Sequence, residues 1–232
     1  FMKTLKIKIS DDLYNKLKEN ERFSSLVEVL GLDYNKKYNQ TPEGNKEYNT
    51  LRYGKVIIAV DQDEDGKGQI CGLLINFLTL FWPGLVERGF ISRINTPVIR
   101  ANPKPQYIKK RFIEEFYSLD QFTTWIKEEW GSEEEMNKFY NIKYYKGLGS
   151  HVRLECREMF KDLDKKLITY KPDDETLKFL EVYFGKETKM RKEVLRVPPE
   201  YYEEGQEMPI SKMLNMDVKE FQRDNIIRKL PH

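Results

Sequence analysis

Three aspartates at alternate positions, Asp61, Asp63 and Asp65, follow directly on an apolar run at residues 56–60 and are closed by Gly66. The run is mostly β-branched and reads as a short buried strand in a parallel arrangement. In an extended segment alternate side chains share a face, so the three carboxylates would converge while Gln62 and Glu64 turn away. Two carboxylates about 4 Å apart repel by roughly 4 kcal/mol at an effective dielectric near 20. Such a cluster needs a cation or a proton. With no His or Cys beside the aspartates, the oxygen ligands favour Mg²⁺ or Ca²⁺ over zinc. The carboxyl end of a strand is also where open α/β sheets carry their sites.

Other readings of the acidic run fit less well. A calcium-binding EF-hand loop requires Glu at its twelfth position, which is Gly72 here, and its usually apolar eighth position is Gly68. A phosphate-binding P-loop ending at Gly66-Lys67 would need glycine where Asp61 stands. A solvated acidic turn is the ordinary meaning of a lone D-x-D. Here the acids sit between a buried strand and an unusually apolar helix, which favours a site.

The chain around this stretch has 232 residues, enough for one large domain or two small ones. A charged fraction of 34% with 14 Tyr and 13 Phe describes a folded, well-charged protein rather than a disordered one. The formal net charge of +2 names no partner, so local patches must do so. Cys71 and Cys156 give neither a disulfide framework nor a metal spacing, which fits a reducing compartment. The most apolar stretch, residues 71–86, is too short for a membrane span and is interrupted by Pro83-Gly84. No signal peptide is visible. The chain opens Phe1-Met2, so it is expected to be a piece of a longer polypeptide or to have lost its start.

Residues 5–9 alternate like a half-buried strand, and Ser10-Asp11-Asp12 can cap a helix carrying Leu13, Leu17 and Phe23. The apolar pattern ends at Gly31, a plausible helix stop. Residues 33–50 are polar, hold Pro42 and Gly44, and read as a loop. After Gly66 an apolar helix is expected from about residue 70 to 81, and its N-terminus beside the aspartates would favour an anion. Residues 90–101 alternate as a strand, with Pro97 marking an edge or bulge, and complete a βαβ unit. Arg100, Lys104, Lys109, Lys110 and Arg111 form a basic hairpin that could touch phosphates or simply be solvated. Residues 112–117 read as a strand, Ser118 as a helix cap, and residues 139–145 as a further strand ending in Lys146-Gly147-Leu148-Gly149. Two glycines around one leucine let the backbone turn tightly or approach a ligand. Ser150 would cap the next helix. A helix over residues 173–184 stops at Gly185, a basic one follows, and residues 210–230 read as a connector helix.

These motifs together resemble the Toprim region of type IIA DNA topoisomerases of the eukaryotic kind. Leu51-Arg52-Tyr53-Gly54-Lys55 leads into the strand, Asp-Gln-Asp-x-Asp-Gly follows, then Gly-Leu-Leu-Ile-Asn-Phe and Trp-Pro. Lys143-Tyr144-Tyr145-Lys146-Gly147-Leu148-Gly149 matches that family's next hallmark, and Arg191-Lys192-Glu193 resembles the basic helix after it. The similarity runs from about residue 25 to the end. It implies an α/β fold with a Toprim-type, mainly parallel sheet flanked by helices, and an α+β C-terminal extension ending in connector helices. The expected division is a Toprim domain over 1–101 lacking its first strand, its extension over 102–185, and basic and connector helices over 186–232.

The resemblance also implies roles. Asp61, Asp63 and Asp65 would hold Mg²⁺ in a two-metal DNA-cleavage site. Lys146, Arg191 and Lys192 would contact double-stranded DNA. The whole enzyme would be an ATP-hydrolysing, homodimeric type II topoisomerase that opens one duplex transiently and passes another through it. Its place would be intracellular: the nucleus of a eukaryote, or the host cytoplasm or virion of a virus. Departures from the family pattern limit this. The Glu-Gly-Asp strand of the family does not precede residue 56 and is expected upstream. No tyrosine here matches the family nucleophile, which is expected on a winged-helix domain beyond Leu230-Pro231, and ATP would bind a separate domain. This chain alone should therefore show no strand passage. After Asp-Gly the run Lys67-Gly68-Gln69 is one residue longer than in cellular enzymes and looks more like enzymes of large DNA viruses or phages, so Lys67 receives no role. A non-catalytic scaffold holding a structural ion, or another Toprim protein such as a primase or nuclease, are the alternative readings.

Overall fold

The structure, a computed structural model, describes residues 11–202 and 205–227. The strand expected at residues 5–9 and the end of the connector helix lie outside them. Helices α1 (Asp11–Glu19) and α2 (Glu21–Leu30) are split at Asn20, whose side chain accepts the N–H groups of Arg22 and Phe23. That bond is stronger capping than the sequence pattern implied, and it interrupts the single helix expected through Phe23. Helix α2 stops at Gly31, as expected.

Residues 33–50 are more ordered than their polarity suggests. They contain α3 (Pro42–Tyr48), started by Thr41, whose hydroxyl accepts the Gly44 N–H at 3.1 Å, and by Pro42, which has no N–H to leave unpaired. Arg88 donates to the Tyr38 carbonyl at 2.7 Å, and Tyr38 is fully buried.

Strand β1 (Val56–Ile58) is shorter than the apolar run. A π-helical turn, Asp65–Ile70, leads into α4 (Cys71–Phe81), then α5 (Pro83–Glu87) and β2 (Ile91–Ile94). Strands β1 and β2 are parallel, with Val56 opposite Ile91, so the βαβ unit forms. The one strand expected over 90–101 is two. Beyond Pro97, which cannot donate to a ladder, the chain enters a second sheet as β3 (Ile99–Pro103). That sheet is antiparallel, with β3 between β4 (Glu114–Phe116) and β5 (Tyr140–Tyr144). Between β4 and β5 lie α6 (Leu119–Trp125), capped by Ser118 as expected, and α7 (Glu133–Asn137). Phe116, Phe122, Met136 and Tyr140 fill the core of this extension.

After α8 (Arg153–Lys161) and α9 (Leu163–Lys166) the chain returns to the first sheet as β6 (Leu167–Lys171), antiparallel to β2. Helices α10 (Thr176–Phe184) and α11 (Thr188–Arg196) follow, then β7 (Glu207–Pro209), parallel to β6. The first sheet has the order β1-β2-β6-β7, and two of its three pairings are parallel. The last helical run is α12 (Ile210–Met213), a π-helical turn Leu214–Val218, and α13 (Lys219–Ile227). This run, expected as a connector helix, packs into the core. Met213, Leu214 and Val218 are wholly buried in the same core as Cys71, Ile75 and Leu180. Each such side chain contributes roughly 1.5–3 kcal/mol by leaving water.

Candidate metal centre and the turn that closes on it

Asp61 and Asp63 sit where β1 has ended and helix has not yet begun. Asp61 Oδ1 accepts the Leu148 N–H at 2.6 Å, and Asp63 Oδ1 accepts the Gly66 N–H at 2.8 Å. Asp63 therefore caps the helical run that follows, and the Lys67 N–H continues it by donating to the Asp63 carbonyl at 2.9 Å. The extended alternation expected for the three acids ends there, because Asp65 already belongs to the π-helical turn. Asp63 and Asp65 are exposed and Asp61 is half-buried.

Gln62, which borders the same cavity as Asp63, spends its amide on other partners. Its Nε2 donates to Asn95 Oδ1 at 2.7 Å, and its Oε1 accepts from Arg93 at 2.9 Å. Arg93 is buried and also donates to the Tyr170 hydroxyl at 3.1 Å. This polar tie beneath the strand end was not read from the sequence. An arginine inside the apolar strand β2 was its only local signal.

The second sheet supplies the other wall. Gly147 lies so close to Asp61 that a Cβ there would meet its carboxylate atoms at 2.6–2.8 Å. A side chain at this position would force the Asp61 carboxylate or the turn to shift, and the backbone approach that the two glycines permit is made to Asp61. A cavity of about 90 Å³ opens beside the contact, lined among others by Asp63, Lys146, Gly147 and His151. Lys146 is exposed, and its N–H donates to Ser150 Oγ at 3.2 Å. Ser150 thus stabilises the turn rather than capping α8. Glu155 takes the capping role, accepting the Val152 N–H at 2.9 Å.

Behind the turn lies an ionic cluster. Arg100 pairs with Glu158 at 2.6 Å and lies 3.7 Å from Glu155 and 3.9 Å from Glu115. Lys143 bonds Glu155 at 2.7 Å, and Lys166 reaches Glu115 at 3.4 Å. Arg100, expected on a basic hairpin, is therefore buried and neutralised. Arg111 of the same stretch stacks over Trp130 and Phe139. Against this cluster the Tyr145 and His151 rings stack at 4.0 Å with 12° between their planes. Burial, and then Glu155, push the Tyr145 phenol up to about 12. Burial, aided by Lys143 and Arg100 and opposed by Glu155, lowers the His151 imidazole below its ordinary value.

The remaining predicted contacts stand elsewhere. Arg191 Nε donates to the Val182 carbonyl at 2.9 Å, and its Nη2 donates to the Gly185 carbonyl. It closes the C-terminus of α10. Lys192 is exposed on α11. Neither lines the cavity beside Asp63. Lys67 reaches Asp217 in the Leu214–Val218 turn at 3.5 Å, and Gly68 packs on the Asp217 carbonyl, where a Cβ would come within 2.4 Å. The two π-helical turns are thus locked together, a tie that sequence spacing could not reveal.

Among the described residues no three His, Cys, Asp or Glu side chains converge as a ready-made metal cage. Asp61 and Asp63 instead present two hard carboxylates, with Asp65 at the start of the helical turn beyond them. That set suits Mg²⁺, which keeps waters and commonly completes its shell with substrate phosphates. No helix among the described residues is long and apolar enough to cross a membrane.

The architecture is a mixed α/β domain whose acidic strand end is covered by a glycine turn from an antiparallel extension. The chain belongs to the family described as the C-terminal associated domain of TOPRIM, whose model matches residues 94–228. DNA topoisomerase 2 of African swine fever virus (isolate Pig/Kenya/KEN-50/1950) is 35% identical over 224 residues, covering 93% of this chain and 18% of that protein. DNA topoisomerase 2 of Bombyx mori is 34% identical, covering 97% of this chain and 15% of that relative. The corresponding protein of Drosophila melanogaster is 41% identical over 160 residues, 69% of this chain and 10% of its own length. The chain thus spans less than a fifth of the curated relatives it matches. The DNA-binding, cleavage and re-ligation domain of Plasmodium falciparum topoisomerase II has the same fold, with a TM-score of 0.79 at 24% identity over 99% of this chain and 29% of that one.

Proposed function

We propose that this chain is the metal-binding part of the DNA cleavage and religation core of an ATP-dependent type II DNA topoisomerase. The observation that carries the reading is the closure of the Lys146-Gly147-Leu148-Gly149 turn onto Asp61, at the end of a parallel strand, beside Asp63. The similarity to viral and insect topoisomerase 2 over nearly the whole chain supports it.

Asp61, Asp63 and Asp65 would hold Mg²⁺, which when bound supplies a counter-charge for the scissile phosphate and the departing sugar oxygen. The chain's own residues do the positioning. Leu148 fixes one oxygen of Asp61, and Gly66 fixes one of Asp63, so each carboxylate enters the site pre-aimed. Lys146, at the mouth of the same cavity, offers a cation to the DNA backbone. Lys192, exposed on α11, would extend the phosphate track there, while Arg191 would support that helix from its bonds to the end of α10. The attacking tyrosine, the completing glutamate and the ATPase belong to other parts of the assembly, which acts as a homodimer on double-stranded DNA inside the cell.

The test is Mg²⁺-dependent plasmid relaxation, with and without ATP, by an assembly containing this chain. ATP-dependent relaxation that disappears with Asp61→Ala, while the fold and DNA binding persist, is the expected result. Relaxation by that variant at the normal rate would remove Asp61 from the chemistry.

A further inference from the structure

The 146–150 turn has little to hold it in shape from within. Gly147 and Gly149 flank Leu148, which is only half-buried. Its internal bonds are short-range: the Lys146 N–H to Ser150 Oγ at 3.2 Å, the Ser150 N–H to the Gly147 carbonyl at 3.0 Å, and the His151 N–H to the Leu148 carbonyl at 3.2 Å. A turn built this way is set by where its two ends are held.

Both ends are held by one contact. Tyr145 enters the turn and is anchored by its N–H to the Val98 carbonyl at 2.9 Å. His151 leaves it, with its side chain only 3% exposed. The two rings lie face to face at 4.0 Å, so the stack closes the turn like a clasp. Lys143 Nζ sits 4.7 Å from the centre of the Tyr145 ring, and Glu155 of α8 lies 3.9 Å from His151 Nδ1. The ring pair is therefore fixed from β5 and from α8 at once, and it borders the cavity that Asp63 and Lys146 also line.

We infer that His151 is a positioning residue: by stacking on Tyr145 it holds Gly147 and Leu148 against Asp61, and so sets the aim of the proposed metal ligand. Its value to metal binding rests on the reading of Asp61 given above. The clasp itself does not, and the two can be tested apart.

The experiment uses the 232-residue chain with no DNA and follows hydrogen exchange of the Leu148 amide by NMR. In the wild type this N–H is bonded to Asp61 and protected. His151→Ala should speed its exchange roughly three- to tenfold, the range of an aromatic pair contact, while amides of the β3–β5 ladder keep theirs. His151→Phe, which keeps the stack without the imidazole, should restore protection. If His151→Ala does not fold, Tyr145→Leu opens the clasp from its other end and is judged by the same amide. Unchanged Leu148 exchange in the alanine or leucine variant overturns the inference, as does failure of His151→Phe to restore it. A parallel Mg²⁺ titration separates the two claims. A weaker Mg²⁺ response in His151→Ala, restored in His151→Phe, supports both. A wild-type chain in which Leu148 obeys the clasp but Mg²⁺ perturbs neither Asp61 nor Asp63 counts against the metal reading and leaves the clasp standing.

Discussion

The amide of Leu148 and the carboxylate of Asp61 are joined at 2.6 Å across 87 residues of sequence. This one bond ties the antiparallel extension to the acidic end of β1, and substitutions at Asp61 can separate its structural from its chemical part. Asp61→Asn keeps an oxygen for Leu148 but removes the charge. Asp61→Ala removes both. The alanine variant should lose about 1–2 kcal/mol of unfolding free energy, and the asparagine variant less, in urea denaturation. Both should lose the Mg²⁺ response. An asparagine variant that binds Mg²⁺ like the wild type would show that Asp61 is a hinge pin and no more.

Gly147→Ala tests the same contact from the opposite wall. A methyl group would land 2.6–2.8 Å from the Asp61 carboxylate, which the Leu148 N–H holds in place. Overpacking of this kind costs about 1–3 kcal/mol. The expected outcome is a lower denaturation midpoint together with reduced Mg²⁺ affinity. Gly149→Ala, with open space around its position, should cost less in both measurements. Equal effects at the two glycines would argue against a specific approach at Gly147.

Arg191 and Lys192 are adjacent in sequence but should behave differently. Arg191 spends its guanidinium on the Val182 and Gly185 carbonyls, so Arg191→Ala should destabilise the α10–α11 corner by about 1–2 kcal/mol. Lys192 is exposed and should change stability by less than about 0.5 kcal/mol. If α11 tracks DNA, Lys192→Ala weakens binding on all sequences alike and lowers the slope of log K against log salt by about 0.9. Thermal unfolding and a salt series on both variants would check this. A salt slope unmoved by Lys192→Ala would make that face an ordinary solvated one.

The local features of the sequence were the legible ones. The apolar run ending in Asp61, the helix stop at Gly31, the Ser118 cap and the parallel βαβ unit each follow from neighbours a few residues apart. What escaped depends on distant partners. Pro97 marked an edge or a bulge in a single strand, but only tertiary structure shows β3 crossing into a second sheet there. Arg100 looked like part of a basic hairpin because Glu155 and Glu158 lie far along the chain. The stretch over residues 210–230 reads only as a connector helix. Its burial becomes visible only when Gly68 and Lys67 are seen packed on Asp217. The polar stretch holding α3 hid a cap, Thr41, and a buried anchor, Tyr38. The Asp61–Asp65 spacing and the Gly147-Leu148-Gly149 pattern were each visible alone, but only the fold brings Leu148 onto Asp61.

The stacked pair Tyr145 and His151 should mark the pH limits of the fold. Tyr145 holds its proton up to about pH 12 in the folded chain, whereas an unfolded tyrosine releases it near 10. Its raised value means that the stabilisation is complete below about pH 10 and is lost as pH climbs toward 12, by no more than about 1.4 kcal/mol per unit. His151 works at the other end. Its folded value is lowered, so the unfolded chain takes up that proton first, near pH 6.5. The stabilisation is present above that pH and is lost as pH falls through the folded value. Urea unfolding of the wild type against Tyr145→Phe and His151→Phe isolates each contribution, since all other groups cancel in the difference. The wild type should lose ground to Tyr145→Phe only above about pH 10, and to His151→Phe only below about pH 6.5. Differences that stay flat across both windows would mean that the rings titrate as freely in the folded chain as in the unfolded one, and that neither burial nor the neighbouring charges of Arg100, Lys143 and Glu155 govern them.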